Sequence, residues 1–404
     1  MPPPSSITFL VFDAYDGGGV ARTTANLANH LARTRHVRVV SLYRRRDEGR
    51  FELDPAVELS TLRDLTQRQP VWARALNQIP SRLRPNPSAR TMSMLTDLLL
   101  WRSLRAIPAG SVVVSTRPSL HLASTSFVRR GVTTIGWEHM HFSARFGSAA
   151  LRAVLHKTVP RLDGYVVLTE ADAADYRREL PSAATEIEVI RNSVSWPIRD
   201  RVPGLDSNVV LAVGRLVPRK GFKRLVRAFG PIAREHPDWQ LHIYGQGKQE
   251  NEIRRLVKRL RLRKQVKLKG FTHDLPSVLA GGSVFAMTSL SEGFPMVLIE
   301  AMSTGVPVIA YDCPRGPAEI IRDGQNGLLI PEGPHEDFSK GLRTLVEDAD
   351  LRTRLGAQAL RDAEAYSIEH IAADWERLFE RLAARRSVSR DEPQPGRARC
   401  RPDP

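Results

Sequence analysis

The sequence predicts two doubly wound α/β domains that face each other across a cleft. The first observation is length, because 404 residues exceed the roughly 250–300 residues that one hydrophobic core serves. The second is a repeated alternation of short apolar runs with helical patterns, which is typical of parallel βαβ units. The third is residues 197–207, a stretch without such a pattern that divides the alternation into two series.

The first series opens with a strand, a glycine turn, a helix and a second strand. Residues 7–12 are apolar and precede Gly17-Gly18-Gly19, after which Ala and Leu recur at helical spacing over 20–31. The remaining strands are predicted over 37–42, 112–115, 133–136, 164–168 and 187–190. We therefore predict a Rossmann-like first domain over residues 1–195.

The second series follows the same plan and predicts a second Rossmann-like domain over residues 196–367. Its strands are predicted over 209–213, 241–244, 266–268, 284–287, 306–310 and 328–330, with helices over 223–235 and 250–262. A further helix is predicted over 368–386, with Trp375, Leu378 and Phe379 near one face. Residues 387–404 are rich in Arg and Pro without periodicity, and we expect a disordered basic tail there.

The net charge limits the classes of binding partner that the protein could have, but it does not identify one. Lys and Arg total 60 against 44 Asp and Glu, a formal net charge of +16. Such a charge fits nucleic acid, an anionic membrane surface or a phosphorylated substrate. The two cysteines, Cys313 and Cys400, favour a reducing compartment over a disulfide framework. Because no apolar run approaches the ~18 residues of a membrane span and no signal-peptide pattern opens the chain, we expect a cytoplasmic protein.

Residues 63–105 depart from the alternation and are interpreted as a basic insertion in the first domain. Eight arginines stand there against Asp64 and Asp97, a local net charge of +6, and they are interspersed with apolar residues that include Trp72 and Trp101. Two interpretations remain open. The insertion docks on an anionic membrane face, or it is a solvated helical segment whose apolar side packs on the first domain.

Two glutamates eight residues apart form the strongest chemical motif. Glu292 and Glu300 stand in SEGFPMVLIEAM directly after the strand 284–287, and we therefore expect them at its carboxyl end. Pro295 suits the first turn of a helix. The N–H groups of such a helix start, from Gly293 to Met296, are suited to diphosphate oxygens or sugar hydroxyls. The bare pair is also compatible with one capping and one surface glutamate.

The flanking residues resemble the glutamate–seven–glutamate motif of retaining glycosyltransferases of family 4, which have the GT-B fold. GVPVIA over 305–310 and the segment 312–329 are similar to the family's continuation, and the resemblance is close over about 209–330 and looser in the first half. It implies that Glu300 binds the ribose hydroxyls and that Glu292 holds the donor sugar as a catalytic residue. It further implies diphosphate contacts from Gly293, Phe294, Pro295 and Met296. For this fold we expect the helix 368–386 to pack back on the first domain.

A basic pair precedes the first helix of the second domain. Arg215 and Lys220 lie five residues apart across a tight Gly/Pro turn, where they could converge on a diphosphate. Alone the pair is a weak motif, but it matches the family's phosphate-binding pair, and the resemblance implies that role. The resemblance also implies a nucleotide pocket formed by Gly245, Gly247, Gly270 and Phe271.

The first domain offers weaker motifs. Gly18, Gly19 and Arg22 follow the first strand, where a glycine loop admits a phosphate or a sugar edge, and the family places such a loop over the donor diphosphate and the acceptor. By position, His139 resembles the family's cleft histidine, with His141 as the alternative. Asn192 resembles the family's hinge asparagine, and Arg117 with Pro118 follows a strand end that faces the cleft.

The resemblance implies a hexosyltransferase-type enzyme that moves a sugar from a UDP- or GDP-linked donor onto a hydroxyl with retention of configuration. We expect a lipid-linked or cell-envelope glycan acceptor, no cofactor and no metal, since His139 and His141 lack further ligands at zinc spacing. We expect the enzyme in the cytoplasm, with peripheral contact to the inner membrane face as the open alternative. The other hypotheses are a GT-B-fold sugar-nucleotide epimerase and a nucleic-acid-binding protein, although no nucleic-acid-binding motif is present.

Overall fold

The computed structural model describes residues 6–83, 92–181 and 185–391. Within these residues the chain forms two parallel β-sheets, one after the other, with helices between consecutive strands. The two-domain α/β architecture predicted from the sequence is therefore confirmed.

The first sheet has seven strands in the order β3-β2-β1-β4-β5-β6-β7. The strands are β1 Ile7–Asp13, β2 Val37–Arg44, β3 Val57–Asp64, β4 Val112–Ser115, β5 Thr133–Trp137, β6 Gly164–Val167 and β7 Glu186–Val189. The helices between them are α1 Gly19–Leu31, α2 Val71–Gln78, α3 Met94–Arg105, α4 Pro118–Phe127, α5 Phe142–Phe146, α6 Ala149–Thr158 and α7 Glu170–Glu179.

The second sheet has six strands in the order β10-β9-β8-β11-β12-β13. The strands are β8 Val209–Val213, β9 Gln240–Tyr244, β10 Val266–Gly270, β11 Val284–Met287, β12 Val308–Tyr311 and β13 Gly327–Ile330. The helices are α8 Phe222–Glu235, α9 Glu250–Arg259, α10 Leu275–Ala280, α11 Met296–Met302, α12 Pro317–Ile320, α13 His335–Glu347, α14 Ala349–Ala363 and α15 Ile368–Asp391.

The apolar runs form strands because they are covered on both faces. β4 and β11 are buried along their whole length, as expected for central strands of a parallel sheet between helical layers. α8 shows the complementary pattern, since its buried residues Phe222, Leu225 and Phe229 recur at helical spacing while charged residues occupy the other side.

The last helix, α15, returns to the first domain, as expected for this fold. Trp375 is fully buried, and its ring centre lies 4.9 Å from that of Trp137 at the end of β5. Arg35, just after α1, forms a bidentate hydrogen bond with Glu376 at 2.8 and 3.1 Å. Because α15 follows the second domain in the chain, this packing ties the end of the second domain to the first domain.

The structure differs from the sequence prediction in the supposed insertion and in the length of α15. β3 was not predicted, and it takes Arg63 and Asp64 out of the supposed insertion. α3 buries Leu95, Leu100 and Leu104 against the first sheet as an ordinary crossover helix. α15 extends to Asp391, beyond the predicted end at residue 386. Residues 84–91 of the insertion and 392–404 of the predicted tail lie outside the described residues.

Among the described residues, no helix combines the length and the apolar character needed to cross a membrane.

We expect Trp375→Ala to destabilise the protein by about 3–5 kcal/mol, because it removes a fully buried indole and leaves a cavity between α15 and β5. The measurement is denaturant-induced unfolding followed by circular dichroism. Glu380→Ala on the exposed side of α15 is the matched control and should shift the midpoint little. Equal shifts in the two variants would contradict the assigned packing.

Candidate active site

The carboxyl ends of β8 and β11 form the centre of the second-domain site. These strands are neighbours at the point where the strand order reverses, which is where open parallel sheets bind ligands. The loop 214–221 follows β8 and carries Arg215 and Lys220, while the loop 288–295 follows β11 and carries Glu292. The structure joins the two loops, since Lys220 Nζ donates a hydrogen bond to Glu292 Oε1 at 2.7 Å.

Glycine at position 221 sets the approach of these two loops. Gly221 has φ +68°, and a Cβ there would lie 1.9 Å from the carbonyl oxygen of Thr288. Thr288 Oγ1 in turn donates to the Gly221 carbonyl at 3.1 Å. Backbone therefore packs directly on backbone, and a side chain at this position would push Lys220 away from Glu292.

Glu292 is buried and neutralised by cations from the neighbouring loop. Arg219 Nη1 lies 3.8 Å from Glu292 Oε2 and donates to the Ser291 carbonyl at 3.1 Å. Arg215 is exposed, and within the described ranges it forms no ion pair. The two residues predicted to bind the diphosphate therefore differ in their surroundings. Lys220 is bound to a carboxylate, whereas Arg215 is exposed to solvent.

The helix after Glu292 starts later than the sequence predicts. α11 begins at Met296, with Pro295 as its N-cap. The Met296 N–H donates to the Phe294 carbonyl at 2.9 Å, and Pro295 has no N–H. The expectation of free N–H groups from Gly293 to Met296 is therefore wrong for the last two residues.

Glu300 lies inside α11 and meets the first domain across the cleft. Its side chain is 2% exposed, and Oε1 lies 2.6 Å from Arg22 Nη2 on α1. Burial raises the pKa of Glu300, and the charges of Arg22 and Lys220 oppose that rise. Arg22 Nε donates to Ser195 Oγ at 2.7 Å, and its guanidinium lies over the Trp196 ring. The predicted ribose ligand and a predicted loop residue are thus brought together.

His139 follows β5 and is held by a buried ion pair. Glu138 Oε1 accepts the backbone N–H groups of His139 and Met140, each at 2.9 Å, and Arg145 binds the same carboxylate at 2.7 and 2.8 Å. Burial raises the pKa of Glu138, but Arg145 and these hydrogen bonds outweigh it and hold that pKa below its ordinary value. The turn that presents His139 is therefore fixed by charge.

The two candidate histidines differ in what their rings do. His139 Nε2 is buried without a hydrogen-bond partner among the described residues, whereas His141 Nδ1 accepts the Ala144 N–H at 3.2 Å and caps α5. Burial lowers the pKa of His139 to about 3, so its ring is neutral at physiological pH. An unsatisfied buried nitrogen favours His139 over His141 as the ligand-binding residue.

The part of the site in the first domain contacts the part in the second domain at Gly293. A Cβ there would lie 2.7 Å from the carbonyl oxygen of His139, so the loop after β11 contacts the loop after β5 across the cleft. Residues from both domains are therefore within reach of one ligand.

The predicted nucleotide-pocket residues surround the loop after β9. A Cβ on Gly245, at φ +133°, would lie 1.9 Å from the Gly214 carbonyl oxygen, and one on Gly247 would lie 2.4 Å from that of Leu216. The Gly245 N–H donates to the Gly270 carbonyl at 2.7 Å. Phe271 is exposed and lies under the guanidinium of Arg50 from the first domain, at 5.3 Å.

The remaining predicted residues lie around the rim. Gly18 caps α1, and a Cβ on Gly19 would meet nothing within 4 Å, which leaves open space beside Arg22. Asn192 is buried at the domain junction, and Pro118 is the first residue of α4, after Arg117.

Sequence reasoning missed Arg145 and Arg219. Arg219 lies near Glu292, which the sequence singles out, and Arg145 binds Glu138, which adjoins His139. Arginine is common in this sequence, and no spacing distinguishes these two arginines from the others. Within the described parts of the chain, no three His, Cys, Asp or Glu side chains are clustered as metal ligands.

Comparison with known proteins gives two family matches that together span most of the chain. Residues 17–195 match the model described as Glycosyltransferase Family 4, and residues 198–362 match Glycosyl transferases group 1. The boundary between them falls at the junction between the two sheets.

Two curated relatives and one solved structure are similar to the chain. It is 32% identical to an exopolysaccharide phosphotransferase of Streptomyces coelicolor over 95% of its own length, but it spans only 41% of that protein. It is 31% identical to the amylovoran biosynthesis glycosyltransferase AmsD of Erwinia amylovora, over 58% of this chain and 67% of the relative. A TarM variant from S. aureus, solved with UDP, fondaparinux and alpha-GlcNAc-glycerol, superposes with a TM-score of 0.72 at 17% identity. That superposition covers 93% of this chain and 99% of TarM.

We expect acid to destabilise the protein partly through His139. Its pKa lies near 3 in the folded state, below the ordinary value of 6.5, so the unfolded chain takes up a proton first as pH falls. The stabilisation is complete above pH 6.5 and is lost as pH falls toward 3, by about 1.4 kcal/mol per pH unit. His139→Gln should remove this part of the slope. The measurement is urea unfolding between pH 7 and 4.5, with the exposed His273→Gln as the control. Identical slopes in wild type and His139→Gln would contradict the burial of a neutral ring.

Proposed function

We propose that this chain, which belongs to glycosyltransferase family 4, transfers a sugar from a nucleoside diphosphate sugar to a hydroxyl of a cell-envelope polymer, with retention of configuration. The observation that carries the proposal is the cluster at the β8–β11 switch point. There Lys220 binds Glu292 and its charge acts on Glu300, and the loop that carries His139 contacts Gly293, the residue after Glu292. The chain is a glycosyltransferase by its family, and the donor, the acceptor and the stereochemistry are the proposed parts.

For the donor we propose the roles that the resemblance implies. Lys220 and the exposed Arg215 bind the diphosphate, with the backbone around Gly293 and Phe294. Glu300 binds the ribose hydroxyls, for which Arg22 must release the carboxylate that it now approaches at 2.6 Å. Uridine is the proposed base, because TarM, the structural neighbour, was solved with UDP.

For the sugar we propose Glu292 and His139 as the residues that contact it beside the reacting carbon. Because the pKa of His139 is lowered to about 3 by burial, the ring binds as a neutral hydrogen-bonding group and not as a charged acid. The charge of the Glu292 carboxylate is offset by Lys220, whose Nζ lies 2.7 Å from Glu292 Oε1. Both side chains are positioned before substrate binds, which lowers the cost of ordering them.

For the transfer reaction, the protein mainly has to position the two substrates and supply positive charge to the leaving group. The bond between the anomeric carbon and the diphosphate oxygen breaks, and the acceptor hydroxyl oxygen bonds to the same carbon on the same face. The hydroxyl proton passes to the departing phosphate oxygen. Lys220 and Arg215 stabilise the negative charge that develops on this leaving group.

The acceptor is proposed from the relatives and belongs to the cell envelope. One relative is named for exopolysaccharide and another for amylovoran biosynthesis. Since the chain spans 41% of the first, that protein's whole activity is not transferred to this chain.

We further propose that α2 and α3 rest on an anionic membrane face. These helices pack together and expose Val71, Trp72, Leu98 and Trp101. The exposed arginines on and around them are Arg68, Arg74, Arg82, Arg102 and Arg105. Apolar side chains ringed by arginine match the interface of an anionic bilayer, and this would hold the enzyme at the inner face of the cell membrane.

We expect Lys220→Ala to weaken nucleotide-sugar binding by about tenfold or more, because it removes a charge-assisted hydrogen bond to the diphosphate. Glu300→Ala should weaken it similarly through the ribose. The measurement is calorimetric titration with UDP- and GDP-sugars. Lys223→Ala, three residues further on, changes a half-buried lysine that is ion-paired with Glu252, and it is the matched control. If both variants bind as tightly as wild type, the assignment of the donor site is wrong.

We expect the double variant Trp72→Ser, Trp101→Ser to bind phosphatidylglycerol vesicles about tenfold more weakly, because two exposed indoles no longer enter the interface. Vesicle flotation at low and high salt measures this, with phosphatidylcholine vesicles for comparison. Leu260→Ser removes an exposed apolar side chain in the second domain and serves as control. Unchanged binding by the tryptophan variant would assign this surface to another role.

A further inference from the structure

The first sheet has its own switch point, between β1 and β4, and three residues gather there. Phe12 lies near the end of β1, Arg45 directly follows β2, and Arg117 follows β4 by two residues as the N-cap of α4. These strands are adjacent in the sheet, so their carboxyl ends share one stretch of the cleft edge. The Arg117 guanidinium carbon lies 4.0 Å from the centre of the Phe12 ring, and that of Arg45 lies 5.3 Å from the same centre.

The two arginines are not ion-paired in the part of the chain that the structure describes. Across the described residues neither side chain forms an ion pair or a hydrogen bond, although many other arginines of the chain do. The nearby Arg145 is committed to Glu138, which it binds at 2.7 Å. A ring face holds each guanidinium by cation–π contact and leaves its N–H groups available.

The positive charge at this point is partly withdrawn from water. Burial, together with the charges of Arg145 and Arg45, lowers the pKa of Arg117 to about 10, against the opposing charges of Glu138 and Asp16. Like charges brought together in a partly buried place are unfavourable. An anion that bound both guanidinium groups would relieve this repulsion.

The geometry selects among anions. Two guanidinium groups near one ring together offer more N–H donors than one, which suits the several oxygens of a tetrahedral phosphate better than a single planar carboxylate. The site also stands near the chemistry, because the charge of Arg117 acts on His139 as well as on Glu138.

We propose that Phe12, Arg45 and Arg117 form an anion subsite that binds a phosphate group of the acceptor. The proposal rests on the proposed function and narrows it, since the acceptor would be a phosphate-bearing glycan or polymer. The phosphate would lie in the first domain, apart from the donor diphosphate at Arg215 and Lys220. Two sources share this chemistry: a phosphodiester within a polymer and the diphosphate of a lipid-linked glycan.

The test is binding of phosphate probes to protein saturated with UDP, which occupies the donor site. The probes are a short poly(glycerol phosphate), a polyprenyl diphosphate in detergent micelles, and neutral dextran oligosaccharide. We expect Arg117→Ala and Arg45→Ala each to weaken binding of a phosphate probe by about tenfold, the effect of losing a charge-assisted contact, with no change for dextran. Arg129→Ala, at an exposed arginine before β5, is the control.

The probe whose binding depends on these arginines identifies the source of the phosphate. Unchanged affinity of both variants for both phosphate probes, or tighter wild-type binding of dextran than of either, overturns the proposal. Arg45 is exposed, so its variant keeps the test decisive if Arg117→Ala folds poorly. The proposed function fails separately if the wild-type protein binds neither UDP nor a sugar nucleotide. The phosphate probes are then titrated without UDP.

Discussion

The contact between Trp137 and Trp375 is the interaction on which the first-domain half of the site depends. Trp137 ends β5, and the next two residues are Glu138 and His139. Trp375 comes from α15, beyond the second domain, and its ring centre lies 4.9 Å from that of Trp137. The indole pair therefore packs the turn that carries His139 against α15. The Glu138–Arg145 ion pair holds the same turn in place.

Charged side chains gather at the switch point of each sheet, and the two groups differ in their pairing. In the second domain the switch point brings cations and carboxylates together, with Lys220 2.7 Å from Glu292. In the first domain it brings Arg45 and Arg117 onto Phe12 without a carboxylate partner in the described residues. The excess of basic residues is thus not evenly spread. Part of it neutralises buried glutamates, part lies exposed on and around α2 and α3, and part lies beside Phe12 without an ion-pair partner among the residues that the structure describes.

Most of the fold and the outline of the site could be predicted from the sequence, because both rest on local patterns. Fully buried strands such as β4 are continuous apolar runs, and Glu292 and Glu300 stand in a motif of fixed spacing. β3 was missed because it lies at the sheet edge, where only two of its eight residues are buried, so its residues lack such a run. Arg22 and Glu300 approach each other from different domains, and residues so far apart in the chain carry no local pattern that pairs them. The start of α11 was misjudged since Pro295 fits both the cap and the first turn.

The return of α15 also imposes an order on folding. The first sheet is finished at Val189, but the partner that buries Trp137 is not made until the ribosome has completed the whole second domain. A nascent chain therefore carries an exposed apolar face on its first domain through much of its synthesis, and such surfaces recruit chaperones or aggregate. Proteolytic loss of α15 would uncover the same apolar face in a chain that has already folded.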